Sequence, residues 1–160
     1  MSTVGELEKT KKIFCGIDPG HEKFGFAICD ADALLFSAIV PVDAADAVAD
    51  ALASGDFSDL TRWGAEGDAP RPGLRIDAVY LGDGTGHEVF ARTLMEQSIS
   101  FTLADEKGTT LDARALYWRL HPPKFLWRLL PLSLRVPPRP IDDLAAWAIV
   151  RRTQGTEEGG

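Results

Sequence analysis

The chain opens with two apolar runs joined by a short polar turn, and this pattern constrains its fold more than any other feature. Residues 13–18 (IFCGID) and 23–29 (KFGFAIC) are separated by Pro19-Gly20-His21-Glu22. Nearly unbroken apolar runs of this length are typical of strands covered on both faces. A Pro-Gly turn joins antiparallel neighbours. A third run, residues 33–42, follows a second polar turn, so the sequence predicts an antiparallel meander of three strands.

The remainder of the chain predicts alternating strands and helices. Two further strands are predicted at residues 76–81 and 99–104, and helices are predicted at residues 44–53, 87–97, 109–120 and 141–152. Thr109 and Asp112 are predicted to form a capping box. Residues 57–75 hold three Gly and two Pro and are interpreted as a surface loop or irregular crossover. A meander followed by β/α units indicates an α/β fold, with a mixed sheet and helices on its faces.

A single domain is the simplest organisation for 160 residues, and it is predicted to span residues 13–152. Residues 1–12 and 153–160 are polar and are predicted to be disordered tails. No window reaches the ~20 apolar residues of a membrane span, and the polar start does not match a signal peptide. The chain is therefore predicted to be cytoplasmic, with no membrane partner. Its two cysteines, Cys15 and Cys29, are predicted to be buried thiols.

The charge of the chain is unevenly distributed. A net charge of -7 argues against a general affinity for polyanions. However, residues 1–106 carry 8 Lys/Arg and 19 Asp/Glu, whereas residues 107–160 carry 9 and 5. Any basic surface for nucleic acid is therefore expected in the C-terminal third.

Acidic residues fall where predicted elements end or begin. Asp18 ends the first strand, Glu106 follows the fifth, and Asp142 and Asp143 open the final helix. Ends of parallel strands meet at one edge of a sheet, so these carboxylates are expected to converge. Oxygen ligands suit Mg²⁺ or Mn²⁺, and two such ions ~3.5–4 Å apart can clamp the attacking and leaving oxygens of a phosphodiester. Asp83 lies at the same predicted edge, as a turn residue or a substitute ligand.

Asp142 and Asp143 compete for two roles. Both are suited to cap the last helix, and both are suited to bind a metal. One is expected to cap and the other to bind, and the residues alone leave the assignment open.

Three motifs together resemble the YqgF-type branch of the RuvC-like, RNase H-fold nucleases. They are GIDPGHEKFGFAICD at residues 16–30, DEKGTT at 105–110 and IDDLAAWAIV at 141–150. Members are described as Holliday junction resolvases and as nucleases that mature the 5′ end of 16S ribosomal RNA. The resemblance covers about residues 13–152. It implies an RNase H-like fold, with a five-stranded mixed sheet in which only the second strand is antiparallel and with helices on both faces.

The resemblance also implies the site. Asp18, Glu106 and Asp142 are expected to be the catalytic, metal-binding triad, holding Mg²⁺ or Mn²⁺ as two ions. Asp143 remains a substitute ligand.

The chain departs from the family pattern in three places. The loop after the fourth strand is short, with only GDGTG at residues 82–86. Lys107 stands where the family has an arginine, and a lysine cannot make a bidentate phosphate contact. The Pro- and Arg-rich stretch from Pro122 to Pro140 is longer than the common pattern and could mark a subfamily with its own partner.

Basic and hydroxyl side chains near these motifs are predicted to contact nucleic acid. They are Lys23, Lys107, Thr109, Thr110, Lys124, Arg128, Arg135 and Arg139. The stretch from Phe125 to Pro140 has two interpretations. It could bind RNA by charge and stacking, or its leucines and aromatics could cover the core while its arginines stay in water.

The sequence thus predicts a metal-dependent endonuclease that hydrolyses phosphodiester bonds in structured nucleic acid. Its substrate would be branched DNA, as for a Holliday junction resolvase, or structured RNA, as in pre-rRNA processing. The alternative is a catalytically inactive RNase H-fold module that binds nucleic acid or protein. The acidic balance, the short loop and the missing arginine motivate that alternative. Homodimerisation is left open.

Overall fold

The computed structural model describes residues 11–159, with side chains described as far as Gly155. The predicted disorder of residues 1–10 lies outside the described residues. The strands are β1 (Phe14–Asp18), β2 (Lys23–Cys29), β3 (Leu34–Pro41), β4 (Gly64–Gly67), β5 (Ala78–Gly82) and β6 (Thr102–Ala104). The α-helices are α1 (Ala45–Ser54), α2 (His87–Glu96), α3 (Thr109–Leu120) and α4 (Asp142–Gly159). Short 3₁₀ turns lie at Val42–Ala44, Ser58–Trp63, Phe125–Leu129 and Leu132–Leu134.

The strands form one mixed sheet in the order β4-β3-β2-β1-β5-β6. β1 pairs antiparallel with β2 and parallel with β5, and β5 pairs parallel with β6. β2 also pairs antiparallel with β3. Among the five predicted strands, β2 is therefore the one antiparallel member. The fold is α/β, as predicted, and these strand directions are the ones that the RNase H-like resemblance implies.

The predicted strand count of five is wrong, because β4 adds an edge strand. β4 pairs antiparallel with β3 and has the sequence GAEG, which carries no apolar alternation by which a strand could be recognised. The predicted loop at residues 57–75 also contains a 3₁₀ turn, within which Leu60 is fully buried beside Phe57. The start of this region is thus packed in the core, whereas residues 71–73 and Arg75 are exposed.

Helices cover both faces of the sheet, which confirms that part of the prediction. α1 and α2 cover one face, where Val48 and Phe90 join a core built on Phe24 and Phe26. α3 and α4 cover the other face, where Leu116 and Trp147 pack in a second cluster. Cys15 and Cys29 are both buried and free, as predicted.

Two glycines allow α4 to lie directly on the central strands. A Cβ at Gly16 of β1 would overlap the carbonyl oxygen of Ala146, and a Cβ at Gly25 of β2 would overlap the carbonyl oxygen of Asp142. The N-terminus of α4 therefore lies on β2 at the position that pairs with Asp18 of β1. This contact brings the predicted third ligand to the end of β1.

The predicted helix ends need two corrections. Gly108 precedes α3 in a left-handed conformation without a side-chain cap, so the Thr109–Asp112 capping box does not form. Thr109 lies in the first turn and donates a hydrogen bond to the Glu106 carbonyl (2.7 Å). α4 continues to Gly159, so residues 153–159, predicted as a disordered tail, are helical.

The interpretation of the Phe125–Pro140 stretch as a cover for the core is wrong, because none of its leucines or aromatic residues is buried. Phe125, Leu126 and Leu129 are each about three quarters exposed. Six prolines interrupt the segment and allow it only short 3₁₀ turns. An apolar composition therefore does not place these side chains in the core.

Candidate metal centre

Three carboxylates converge where β1 and β6 end and α4 begins. Asp18 is the last residue of β1, Glu106 follows β6 by two residues, and Asp142 is the first residue of α4. The charges of Glu106 and Asp142 both act on Asp18. The strand order of the sheet and the close packing of α4 against Gly25 thus bring the elements that carry the three predicted ligands together.

The pKa of Asp18 reflects the proximity of the other two carboxylates. The pKa of Asp18 is raised from 3.8 to about 8. Burial is the main cause, followed by a side-chain hydrogen bond with Glu106 and by repulsion from the negative charges of Glu106 and Asp142. A carboxyl group held this way is protonated at neutral pH in the metal-free protein. A nearby cation would reverse that preference.

Two glycines of the short GDGTG loop make room for the Glu106 side chain. A Cβ at Gly82 or at Gly84 would overlap the Glu106 carboxyl group. His87 Nδ1 lies 2.9 Å from the Gly84 carbonyl oxygen, and the Glu106 amide donates to Asp83 Oδ1 (3.2 Å). The loop is therefore held against the turn that carries Glu106, with Asp83 supporting its backbone.

Glu106 retains an unused ligand atom. Its Oε1 is buried and has no hydrogen-bond partner within residues 11–159. A buried carboxylate oxygen without a partner is costly and needs an explanation. A bound cation would satisfy it, so the donor set fits a hard divalent ion.

The carboxylate of Asp142 forms an ion pair with a lysine of the same chain. Lys23 Nζ lies 3.4 Å from Asp142 Oδ2, and both side chains are partly exposed. Lys23 was predicted to contact phosphate, and its ammonium group does lie at the edge of the site. In this arrangement it offsets part of the charge of the acidic cluster.

In their observed conformations, the three carboxylate side chains do not surround a common metal position. Within the described part of the chain, no group of three or more His, Cys, Asp or Glu side chains is drawn together closely enough to hold a metal ion. Asp142 points toward Lys23, while Asp18 is paired with Glu106. A cation would therefore have to draw Asp142 in by a change of side-chain rotamer.

Asp143 is engaged elsewhere. It is fully buried, accepts a hydrogen bond from Ser37 Oγ (2.6 Å) and pairs with Arg139 (2.9 Å). Arg139 also pairs with Glu66 of β4 (2.5 Å), and His121 lies 2.9 Å from the same glutamate. Burial alone would raise the pKa of Glu66, but the bonds from His121 and Arg139 outweigh it and hold the pKa below its ordinary value.

This network separates the roles of the two aspartates. The charge of Asp142 acts on Asp18 while its carboxylate pairs with Lys23, and Asp143 ties the first turn of α4 to β3 and to Arg139. Neither aspartate accepts a hydrogen bond from a helix amide within the described residues, so the expected capping role is wrong for both. Arg139, predicted to contact nucleic acid, is instead held in these ion pairs and is not free to bind phosphate.

The other predicted nucleic-acid contacts fall into two groups. Lys107 and Thr110 are exposed at the start of α3, next to Glu106, whereas Thr109 is buried. A helix N-terminus favours anionic groups. The second group lies on the Pro122–Pro140 segment, where Lys124 and Arg128 are exposed and Arg135 is partly buried.

Sequence reasoning missed two sets of residues that shape the site. Gly82 and Gly84 were interpreted only as turn residues, although they accommodate Glu106. Glu66 and Ser37 were not singled out, since they lie 73 and 106 residues from their partners. The Gly-rich loop was the one available signal, because clustered glycines after a strand indicate close approach by another group.

Solved structures of low sequence identity align with most of this chain. No protein-family model matches the chain, and no curated protein matches it significantly. The structure of Thermus thermophilus RuvC aligns with a TM-score of 0.47 and 19% identity, over 92% of this chain and 96% of that chain. T. thermophilus RuvC in complex with Holliday junction substrate aligns with a TM-score of 0.47 and 17% identity, over 93% and 96%. At this distance, the function has to be inferred from the residues of the chain itself.

Proposed function

We propose that the chain is a divalent-metal-dependent endonuclease that hydrolyses phosphodiester bonds in structured nucleic acid. The observation that carries the proposal is the convergence of Asp18, Glu106 and Asp142, with a buried Glu106 oxygen that has no partner. Acids that repel one another are retained in a fold when a bound cation or a reaction requires them. The YqgF-type resemblance of the surrounding motifs supports the same assignment.

Asp18, Glu106 and Asp142, all partly buried, would hold Mg²⁺ or Mn²⁺, and Asp142 would turn away from Lys23 to do so. Two ions bound there would supply the positive charge that stabilises the attacking and leaving oxygens of an in-line displacement. Asp83 and Asp143 are not needed as ligands in this proposal, because each already serves a neighbouring group.

The residues around the triad would orient the substrate. Lys23, released from Asp142 when that carboxylate turns inward, could pair with a phosphate at the edge of the site. Lys107 and Thr110, at the N-terminus of α3, would add a second phosphate contact next to Glu106. The cleaved phosphate would thus lie between β2 and α3, over the ends of β1 and β6.

The three carboxylates do not surround a metal position within the described residues, and this observation supports a second candidate function. An inactive RNase H-fold module that binds nucleic acid or protein would retain the fold while Asp18 stays protonated and Lys23 neutralises Asp142. Such a module would bind a substrate without cleaving it.

Cleavage assays distinguish the two functions. The wild-type chain, Asp18→Asn and a control, Asp59→Asn, are each incubated with Mn²⁺ and a panel of substrates. The panel holds a ribosomal RNA precursor, a four-way DNA junction and single strands. Asp59 is exposed and lies outside the site. Cleavage by the wild type and the control but not by Asp18→Asn is the expected result. Binding of one panel member without cleavage by any protein would favour the inactive module, and equal cleavage by all three would exclude the triad.

A further inference from the structure

The Pro122–Pro140 segment presents an apolar projection to solvent. The projection consists of Phe125, Leu126, Trp127, Leu129 and Leu130, which are exposed by 37% to 76%. Exposed apolar side chains in a contiguous run mark interaction sites. The described residues leave about three quarters of Phe125, Leu126 and Leu129 uncovered.

The segment is firmly attached at its C-terminal half. Arg114 of α3 donates to the Ser133 carbonyl (2.8 Å), and Trp118 donates to the Arg135 carbonyl (2.9 Å). Arg139 closes the attachment through its ion pairs with Asp143 and Glu66. The projection itself makes only local hydrogen bonds, such as Arg128 Nε to the Pro123 carbonyl (3.2 Å). It therefore projects from a fixed base on α3 and α4.

The charged side chains that flank the projection in the sequence are all basic. Residues 113–141 contain six Lys or Arg and no Asp or Glu. Lys124 and Arg128 flank the apolar side chains and are exposed. A partner for this surface therefore needs an apolar centre and an acidic edge.

The other face of the chain carries an apolar groove with two glutamates among the residues at its edge. A groove of about 560 Å³ lies between α2 and the edge strand β6. Ala91, Met95, Phe101 and Leu103 line it, and Met95 and Leu103 are 67% and 52% exposed. Glu88 and Glu96 stand at its edge together with Arg92 and His87. This α2–β6 groove is large enough for two or three apolar side chains.

The projection cannot fill the groove of its own chain as the fold is built. The groove lies on the face covered by α2, whereas the segment is attached to α3 and α4 on the opposite face. Both surfaces are open in the same molecule. The groove that receives a projection must then belong to another copy.

We infer that the Phe125–Leu130 projection of one copy binds in the α2–β6 groove of a second copy, with Lys124 and Arg128 facing Glu88 and Glu96. Phe125 and Trp127 each have a π face on which a base could stack. The three leucines beside them have none, so nucleic acid is the less suitable occupant. A contact between two different surfaces is heterologous, so it closes into a ring or continues as a chain of copies. The inference does not depend on nuclease activity.

Sedimentation velocity on the full chain tests the contact. The wild type is expected to associate as its concentration rises from the low micromolar range. Leu126→Glu in the projection and Met95→Glu in the groove should each weaken association roughly tenfold or more. Both positions are exposed, so folding should be unaffected. Arg71→Glu makes a charge change at an exposed position outside both surfaces and should associate as the wild type does.

Mixing the two variants gives the decisive result. Leu126→Glu keeps an intact groove, and Met95→Glu keeps an intact projection. Each should be monomeric alone, and together they should form a dimer of one copy of each, which cannot grow further. A wild type that stays monomeric throughout, or variants that form no mixed dimer, would overturn the inference. It would also be overturned if Leu126→Glu abolished binding to a four-way junction or to anionic vesicles while leaving association unchanged.

Discussion

Gly25 packs against the backbone of Asp142 so closely that a β-carbon at position 25 would occupy the space of the Asp142 carbonyl oxygen. Gly25 is also the register partner of Asp18. This one contact therefore sets the distance between the first and third carboxylates of the candidate site. The absence of a side chain on β2 is what allows α4 to begin beside the end of β1.

Gly25→Ala should displace the start of α4. Because the obstructing atoms belong to the backbone, no side chain can move aside, and we expect a loss of about 3 kcal/mol of unfolding free energy. Urea denaturation monitored by circular dichroism measures it. Gly155→Ala, in α4 with open space around its position, is the control and should be neutral or slightly stabilising. Equal stability of the two variants would show that the close contact is not important.

Gly84→Ala should act on the site rather than on stability. A β-carbon at position 84 would overlap only the Glu106 carboxyl group among its nearest neighbours, and that side chain can rotate away. We expect Mn²⁺ affinity to fall roughly tenfold while the urea midpoint changes little. Titration calorimetry measures the affinity. An unchanged affinity would mean that the position of Glu106 does not matter for the metal.

Arg139→Gln should destabilise the fold strongly. It leaves the fully buried Asp143 without its counter-charge, and losing one partner of a buried pair costs about 3 kcal/mol or more. The double variant Arg139→Gln/Asp143→Asn should recover part of that loss, because no buried charge remains. Arg128→Gln, at an exposed arginine of the same segment, should cost well under 1 kcal/mol. Similar losses in Arg139→Gln and Arg128→Gln would contradict the buried network.

The stability of the metal-free protein should depend on the protonation of Asp18. The folded-state pKa of about 8 lies above the ordinary value of 3.8. The folded state therefore keeps its proton over this interval while the unfolded state releases it, and stability falls as the pH rises from 3.8 to about 8. Asp18→Asn removes the titrating carboxyl group and with it this loss of stability. The variant should therefore be more stable than the wild type at pH 8 by on the order of 2 kcal/mol.

The pH experiment uses the difference between the two proteins. Unfolding free energies are measured in EDTA at several pH values, so that contributions from other carboxylates cancel between wild type and Asp18→Asn. A difference that does not change between pH 5 and 8 would show that Asp18 is ionised in the folded protein.

The parts of the fold that the sequence predicted are those encoded locally. The hairpin of β1 and β2 follows from apolar runs and a Pro-Gly turn, and α2 and α3 follow from helical patterns between turns. β4 could not be predicted, because GAEG is stabilised by pairing with β3 and not by its own composition. The capping box failed because Gly108 adopts a left-handed conformation that starts α3 without a side-chain cap.

The candidate site divides in the same way. Asp18, Glu106 and Asp142 were predictable, because each lies where an element ends or begins. The ion pairs and hydrogen bonds of Asp143 and Arg139 were not predictable. They depend on Glu66 and Ser37, which come close to them only in the folded chain. The sequence left two interpretations of the projection open, exposed or covering the core, and composition could not decide between them. Apolar composition indicates burial, whereas the prolines of the segment prevent a regular element that could pack on the core.

Mn²⁺ binding by the metal-free chain tests the central claim most directly. Titration calorimetry would compare the wild type with Glu106→Gln, which preserves the shape of the side chain and removes its charge. We predict saturable binding by the wild type and at least roughly tenfold weaker binding by Glu106→Gln. No binding by the wild type, or equal binding by both proteins, would show that these carboxylates are not a metal centre.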